Sequence, residues 1–225
     1  MDHRRSDSRR KAGDLMQPLN ISVLISGGGT NLEALLQAIE AQQIPARVVQ
    51  VIASQPDAYG LTRAGNWDIP TKILPVNEPE KADKLLLEWL EEADTQLVVL
   101  AGYVKKVPPT VVAAYPNRMM NIHPSLIPAF AGPGWYGIKV HEGVWQRGVK
   151  LTGATVHFVN GEMDGGPIIL QEAVALSHED DPAAIQQKVL AVEHRLLPRA
   201  VSLFAAQKLQ VAGHRVILKD EVSEQ

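Results

Sequence analysis

The sequence predicts an α/β protein: a Rossmann-like, mostly parallel sheet with helices on both faces. Three observations predict it. Short apolar runs alternate with helix-spaced segments over the first ~120 residues, the pattern of repeated βα units. Leu97-Val98-Val99-Leu100-Ala101 is apolar throughout, as a strand covered on both faces must be. Ser26-Gly27-Gly28-Gly29-Thr30-Asn31 follows the first apolar run directly, where the turn of a βα unit can approach a ligand closely.

Asn20 to Ile25 is the first strand. The glycine turn follows it, then a helix with Leu32, Leu35, Leu36 and Ile39 at helical spacing. Val48 to Ala53 is a second strand. A short helix from Pro56-Asp57 through Leu61 and Ala64 precedes a weaker third strand, Thr71 to Leu74. Pro79 suits the first turn of a helix, and Leu85, Leu86, Trp89 and Leu90 give that helix an apolar stripe. Leu97 to Ala101 is the fourth strand and Gly102-Tyr103 ends it. Pro108 opens a short helix, and Arg118 to Ile122 is the fifth strand. A loop rich in Gly and Pro, Phe130 to Gly137, leads to a helix bearing Lys139, His141 and Val144. Thr152 to Val159 and Pro167 to Val174 are two adjacent strands. A long helix runs from Pro182 to about Leu209, and Val216 to Leu218 is a late strand.

Asn121-Ile122-His123-Pro124 carries the chemistry. Proline holds the residue before it extended, so His123 ends a strand, and side chains two apart on a strand share a face. An amide that can donate to an oxyanion thus lies beside an imidazole that can exchange protons near neutral pH. Asp164, in the turn Glu162-Met163-Asp164-Gly165-Gly166-Pro167, is the candidate carboxylate partner. The glycine turn Gly29-Thr30-Asn31 has two readings. It is a phosphate site at a helix N-terminus, or a plain βα turn capped by Thr30 or Asn31. Its spacing is neither that of a P-loop nor GxGxxG.

The 225 residues carry a net charge of −3, with 45% hydrophobic and 21% charged residues and no cysteine. That composition is globular. It gives no electrostatic support to nucleic-acid binding and excludes disulfides, thiolate metal sites and a Cys nucleophile. No apolar run reaches the ~20 residues of a membrane span, and no signal-peptide core is present. Residues 1–19 are expected to be a disordered basic tail in which Arg4, Arg5, Arg9, Arg10 and Lys11 outnumber the acids, with a single domain over 20–225. Among the histidines, His157 reads as a hydrogen-bonded structural residue, His141 as either packing or cleft-shaping, and His3, His178 and His214 as surface residues. No HExxH or other compact metal spacing occurs, so no metal is expected.

With these residues in hand, the chain resembles the folate-dependent phosphoribosylglycinamide formyltransferases. The resemblance runs from about Ile21 to Phe204. It is carried by ISGGGTNL at Ile25 to Leu32, VVLAGY at Val98 to Tyr103 and NIHPSLIPAF at Asn121 to Phe130. KVHEGV at Lys139 to Val144 and GATVHFVNGEMDGGPIILQ at Gly153 to Gln171 complete it. It implies a formyltransferase-type fold and transfer of formyl from 10-formyltetrahydrofolate to the amine of glycinamide ribonucleotide, a step of purine (IMP) biosynthesis in the cytoplasm. It implies that Asn121 and His123 polarise the formyl oxygen, and that Asp164 raises the pKa of His123 and helps move protons. Gly29, Thr30 and Asn31 would hold the substrate phosphate, with Glu193 on the glycinamide or ribose side. Val104, Lys105, Lys106 and Val107 would line the folate pocket with Asn121. Asn160, Gly161, Glu162, Met163 and Asp164 would complete that lining. The resemblance implies small-molecule partners, with neither nucleic acid nor membrane, and leaves a homodimer open. Some members carry an Arg before the Pro79 helix where it contacts folate; here Val76 to Lys81 lacks one, and Lys81 is the substitute at hand.

Three other functions compete. Methionyl-tRNA formyltransferase shares the logic, with an added C-terminal domain and a basic RNA surface not expected here. Formyltetrahydrofolate deformylase hydrolyses the same donor, with an N-terminal regulatory domain not expected here. A non-catalytic nucleotide-binding module would keep the glycine turn without needing Asn121, His123 and Asp164 together.

Overall fold

A computed structural model describes residues 17–219. Residues 1–16 of the expected tail lie outside the described residues, and Leu19 already belongs to the first strand. The order is β1 (Leu19–Ile25), α1 (Thr30–Glu40), β2 (Ala46–Ala53), α2 (Tyr59–Asn66), β3 (Thr71–Ile73), α3 (Pro79–Glu92) and β4 (Leu97–Leu100). Then follow α4 (Pro109–Ala114), β5 (Met119–His123), α5 (Ile138–Arg147), β6 (Leu151–Phe158), β7 (Ile168–Ala175), α6 (Pro182–Ala205), β8 (Leu209–Ala212) and β9 (Arg215–Leu218).

The strands form one sheet in the order β3-β2-β1-β4-β5-β6-β7-β9-β8. The first five are parallel. β6 returns antiparallel to both β5 and β7, β7 and β9 are parallel, and β8 and β9 close the far edge as an antiparallel pair. The strand order reverses between β1 and β4, and ligand crevices in open α/β sheets form at such a reversal, beyond the carboxyl ends of the strands.

Period-two alternation sorts the parallel strands into two cores. Ile21, Val23 and Ile25 of β1, Leu97 and Val99 of β4, and Met120 and Ile122 of β5 pack in one core with Leu32 and Leu35 of α1 and Val189, Leu197 and Val201 of α6. Leu24, Val98, Leu100 and Met119 face the other way, onto Leu86 and Leu90 of α3 and Val111 of α4. Each face of the parallel half is thus closed by helices, which is why these strands read as continuous apolar runs. No helix among the described residues is long and apolar enough to cross a membrane.

The expected elements are present, with two corrections near the C-terminus. The long helix stops at Ala205 instead of reaching Leu209, because Gln207 takes a left-handed φ of 56° that turns the chain. Leu209 instead starts β8, an additional strand that pairs with β9. The second helix also begins later than Pro56-Asp57, at Tyr59.

Candidate active site

Asn121 and His123 lie on β5 with Met119, so the period-two rule puts both on the α3/α4 side of the sheet, at the strand's carboxyl end. His123 is 4% exposed. Its Nε2 lies 2.9 Å from the carbonyl oxygen of Phe130. A carbonyl only accepts, so Nε2 carries a proton and donates it. The titrating atom is then Nδ1, 3.6 Å from Oδ2 of Asp164.

Asp164 enters from the β6–β7 connection, with φ at 53° in the left-handed region. Its Oδ2 accepts from the backbone N–H of Gly132 at 2.9 Å, which ties that connection to the glycine-rich loop after β5. Its Oδ1 lies 3.5 Å from Nδ2 of Asn121 and 3.6 Å from Nε2 of His157. His157 Nδ1 donates to the Phe158 carbonyl at 2.9 Å, and its Nε2 lies 3.1 Å from Asn121 Nδ2. The carboxylate therefore sits between two imidazoles and an amide.

Asp164 pushes the His123 pKa upward, as expected, but the net direction is down. Burial is the largest influence and lowers it; Asp164 and the bond to Phe130 push upward, His157 pushes down, and the balance is below the ordinary value. Burial pushes the Asp164 carboxyl up, but the His157 and His123 rings and the Gly132 amide outweigh it and hold it below the usual range. The resting pair is accordingly a carboxylate beside a neutral imidazole. His141 on α5 is 2% exposed, and burial, aided by His123, pushes it down to about 4.

These groups open on a cavity of about 270 Å³. Val104, Lys105, Lys106 and Val107 line it after β4, and Asn160, Gly161, Glu162 and Met163 line it beside Asp164. Trp135 and Tyr136 of the loop after β5 form another wall. The sequence reading brings neither Trp135 nor Tyr136 to this cavity. It also treats His157 only as structural, whereas His157 is hydrogen-bonded and faces Asp164 as well. The missing signal is the β5–β6 register, which sets Asn121 opposite His157. Lys81 pairs with Glu78 at 3.1 Å on the surface and lies outside the lining of this cavity. Ser125 is fully buried, its hydroxyl donating to the Ala129 carbonyl at 2.6 Å, a structural use.

The glycine turn lies at the same edge of the sheet, at the carboxyl end of β1. Neither Thr30 nor Asn31 caps α1: the N-cap is Gly29, left-handed at φ 71°, with no side-chain cap. The Asn31 side chain instead turns inward, its Nδ2 donating to Glu193 of α6 at 2.5 Å. Glu193 is 5% exposed, and burial raises its pKa against the opposing bond from Asn31. Asn31 Oδ1 is buried without a partner among the described residues. Gly29, Thr30, Asn31 and Glu193 thus form a second group, outside the lining of the first cavity. The glycine turn is tied to the first cavity across the reversal, where Ser26 Oγ accepts from the Val104 N–H at 3.0 Å. The arrangement offers free helix N–H groups on one side, and an amide, an imidazole and a carboxylate on the other. It can hold an anion while protons are moved at a carbonyl centre.

Known proteins share this arrangement of the chain. The formyl transferase family profile matches residues 19–201. The chloroplastic phosphoribosylglycinamide formyltransferase of Arabidopsis thaliana is 36% identical over 194 residues, which make up 84% of this chain and 66% of the relative. The chain therefore spans slightly under two thirds of that protein's length. The phosphoribosylglycinamide formyltransferase of Escherichia coli (strain K12) is 36% identical over 196 residues, covering 86% of this chain and 90% of that protein. The crystal structure of glycinamide ribonucleotide transformylase 1 from Symbiobacterium toebii superposes with a TM-score of 0.86 at 40% identity, covering 94% of this chain and 99% of that one. The protein described here belongs to the formyl transferase family.

Proposed function

We propose that the protein transfers the formyl group of 10-formyltetrahydrofolate to the amine of glycinamide ribonucleotide; the relatives' names support formyl transfer to that acceptor. One observation carries the reading. Asn121, His123 and Asp164 converge on one cavity, and an uncapped helix N-terminus lies at the same strand edge. The phosphate of the acceptor is assigned to the N–H groups around Gly29, Thr30 and Asn31, with Glu193 facing its ribose or glycinamide part. The folate is assigned to the cavity lined by Val104 to Val107 and Asn160 to Asp164.

The acceptor amine attacks the formyl carbon, a new C–N bond forms, and the carbonyl electron pair moves onto oxygen. Asn121 Nδ2, turning from His157, donates to that oxygen, and a positioned donor of this kind contributes about 10²–10³ in rate. His123 is neutral at rest and takes the amine proton at Nδ1, where Asp164 compensates the new charge. The oxyanion pair then re-forms the C=O as the C–N10 bond of the donor breaks; the electron pair of that bond stays on N10, and His123 delivers its proton there. The formyl carbon changes partners without a covalent link to the protein.

The test gives the purified chain 10-formyltetrahydrofolate with three acceptors side by side: glycinamide ribonucleotide, charged initiator tRNA and water, each with and without chelator. Formylation of the ribonucleotide in both conditions is expected. Preference for tRNA, or release of formate without an acceptor, overturns the reading.

A further inference from the structure

The glycine turn is braced from behind by α2. The Gly60 N–H donates to the Gly27 carbonyl at 3.0 Å, and Arg63 Nε donates to the Gly28 carbonyl at 2.9 Å. The Gly29 carbonyl accepts from the Glu33 N–H at 3.0 Å, as an N-cap carbonyl does. Three successive carbonyls are therefore engaged. The backbone N–H groups of Gly28, Gly29, Thr30 and Asn31 have no protein acceptor among the described residues. Contact between the two segments is close: a Cβ on Gly29 would lie 2.6 Å from the Gly60 Cα.

Arg63 is held in three ways. Its guanidinium carbon lies 5.2 Å from the centre of the Tyr59 ring, its Nη1 is 3.4 Å from Glu33 Oε2, and its Nε is spent on Gly28. Glu33 is itself fixed by the Trp67 indole N–H at 3.3 Å. With a carboxylate so near, the pair carries little net charge. What Arg63 contributes is therefore direction, through a planar fork that lysine lacks.

We infer that Arg63 is a positioning residue for the phosphate of the acceptor: it draws the Gly28 carbonyl toward α2 and so turns the loop's N–H groups outward to the anion. The inference rests on the acceptor assignment proposed above. Loss of the Nε bond frees the Gly28 peptide to rotate, and a rotated peptide would present a carbonyl oxygen to the phosphate in place of an N–H.

The experiment compares wild type, Arg63→Met and Arg63→Lys. It measures kcat, the KM of each substrate, and calorimetric binding of ribose 5-phosphate, with thermal melting as a check on folding. Arg63→Met is expected to raise the acceptor KM and the ribose 5-phosphate Kd together by on the order of tenfold. The donor KM and kcat should stay within about twofold, since the interaction is made equally in the ground and transition states. Arg63→Lys keeps the charge beside Glu33 but not the directed Nε–H, and is expected to remain impaired. The inference is overturned if ribose 5-phosphate binding is unchanged in Arg63→Met, if donor KM and kcat deteriorate in step, or if lysine restores wild-type values. It is also overturned if wild type does not bind ribose 5-phosphate. A wild type that binds ribose 5-phosphate, loses that binding in Arg63→Met, and formylates no ribonucleotide would support Arg63 while sinking the acceptor assignment.

Discussion

Replacing His141 with asparagine should remove a defined part of the protein's acid sensitivity. The ring is 2% exposed, its Nδ1 has no hydrogen-bond partner among the described residues, and its pKa is depressed from 6.5 to about 4. In the unfolded chain the ring protonates near its ordinary value. Below that value the unfolded state takes up a proton that the folded state refuses, so stability falls as pH falls from about 6.5 toward about 4. The gap of about 2.5 between the two values sets a ceiling of about 3.4 kcal/mol. At pH 5 the unfolded ring is almost wholly charged and the folded ring almost wholly neutral, which realises at most about 2 kcal/mol relative to pH 7. Urea denaturation of wild type and His141→Asn at pH 7 and pH 5 measures it. The variant loses packing at both pH values, but the difference between the proteins should shrink by about 2 kcal/mol at the lower pH. Parallel curves, within about 0.5 kcal/mol, would mean that the folded ring titrates normally, and the burial argument would fail.

Three further outcomes are expected. His123→Ala and Asp164→Asn should each lower kcat by about 10² or more while leaving the affinity for each substrate within a few-fold; near-normal turnover in both folded variants would remove the cluster from the chemistry. Gly29→Val adds a β-branched side chain at φ 71° and 2.6 Å from Gly60, so calorimetry should show weakened ribonucleotide binding with folate binding intact, and a selective loss of folate binding would contradict the phosphate assignment. Gly166→Ala sets a Cβ 1.7 Å from the Phe158 carbonyl oxygen; chemical denaturation should show a loss of about 2 kcal/mol or more, and an unperturbed midpoint would mean that the β6–β7 turn relaxes freely.

The parallel half of the fold was legible because short apolar runs, with β4 apolar on both faces, alternate with segments of helical spacing. The Asn121–His123 pair was legible because proline fixes the backbone after His123 and period two then fixes the face. The β8 strand escaped because no Gly or Pro lies between Leu203 and Leu209 to mark the turn that Gln207 imposes. His157 escaped for a different reason. Its position opposite Asn121 depends on pairing between strands 36 residues apart, and nothing local to either strand encodes that partnership. The direction of the His123 pKa was also out of reach, because sequence supplies the neighbouring carboxylate but not the depth of burial that outweighs it.

The Asn31–Glu193 bond joins residues separated by 162 positions. The start of α1 leaves the ribosome well before its anchor on α6. At about 5–20 residues per second, roughly ten to thirty seconds separate their synthesis. During that interval the glycine turn can form with β1 and β2, but the α1 face that meets α6 is uncovered. Burial of Glu193 is therefore a late event, and so is completion of the phosphate-side group. Mutations that slow docking of α6 should prolong a state with a formed parallel sheet and an exposed apolar stripe on α1, a state prone to capture by chaperones or by other chains.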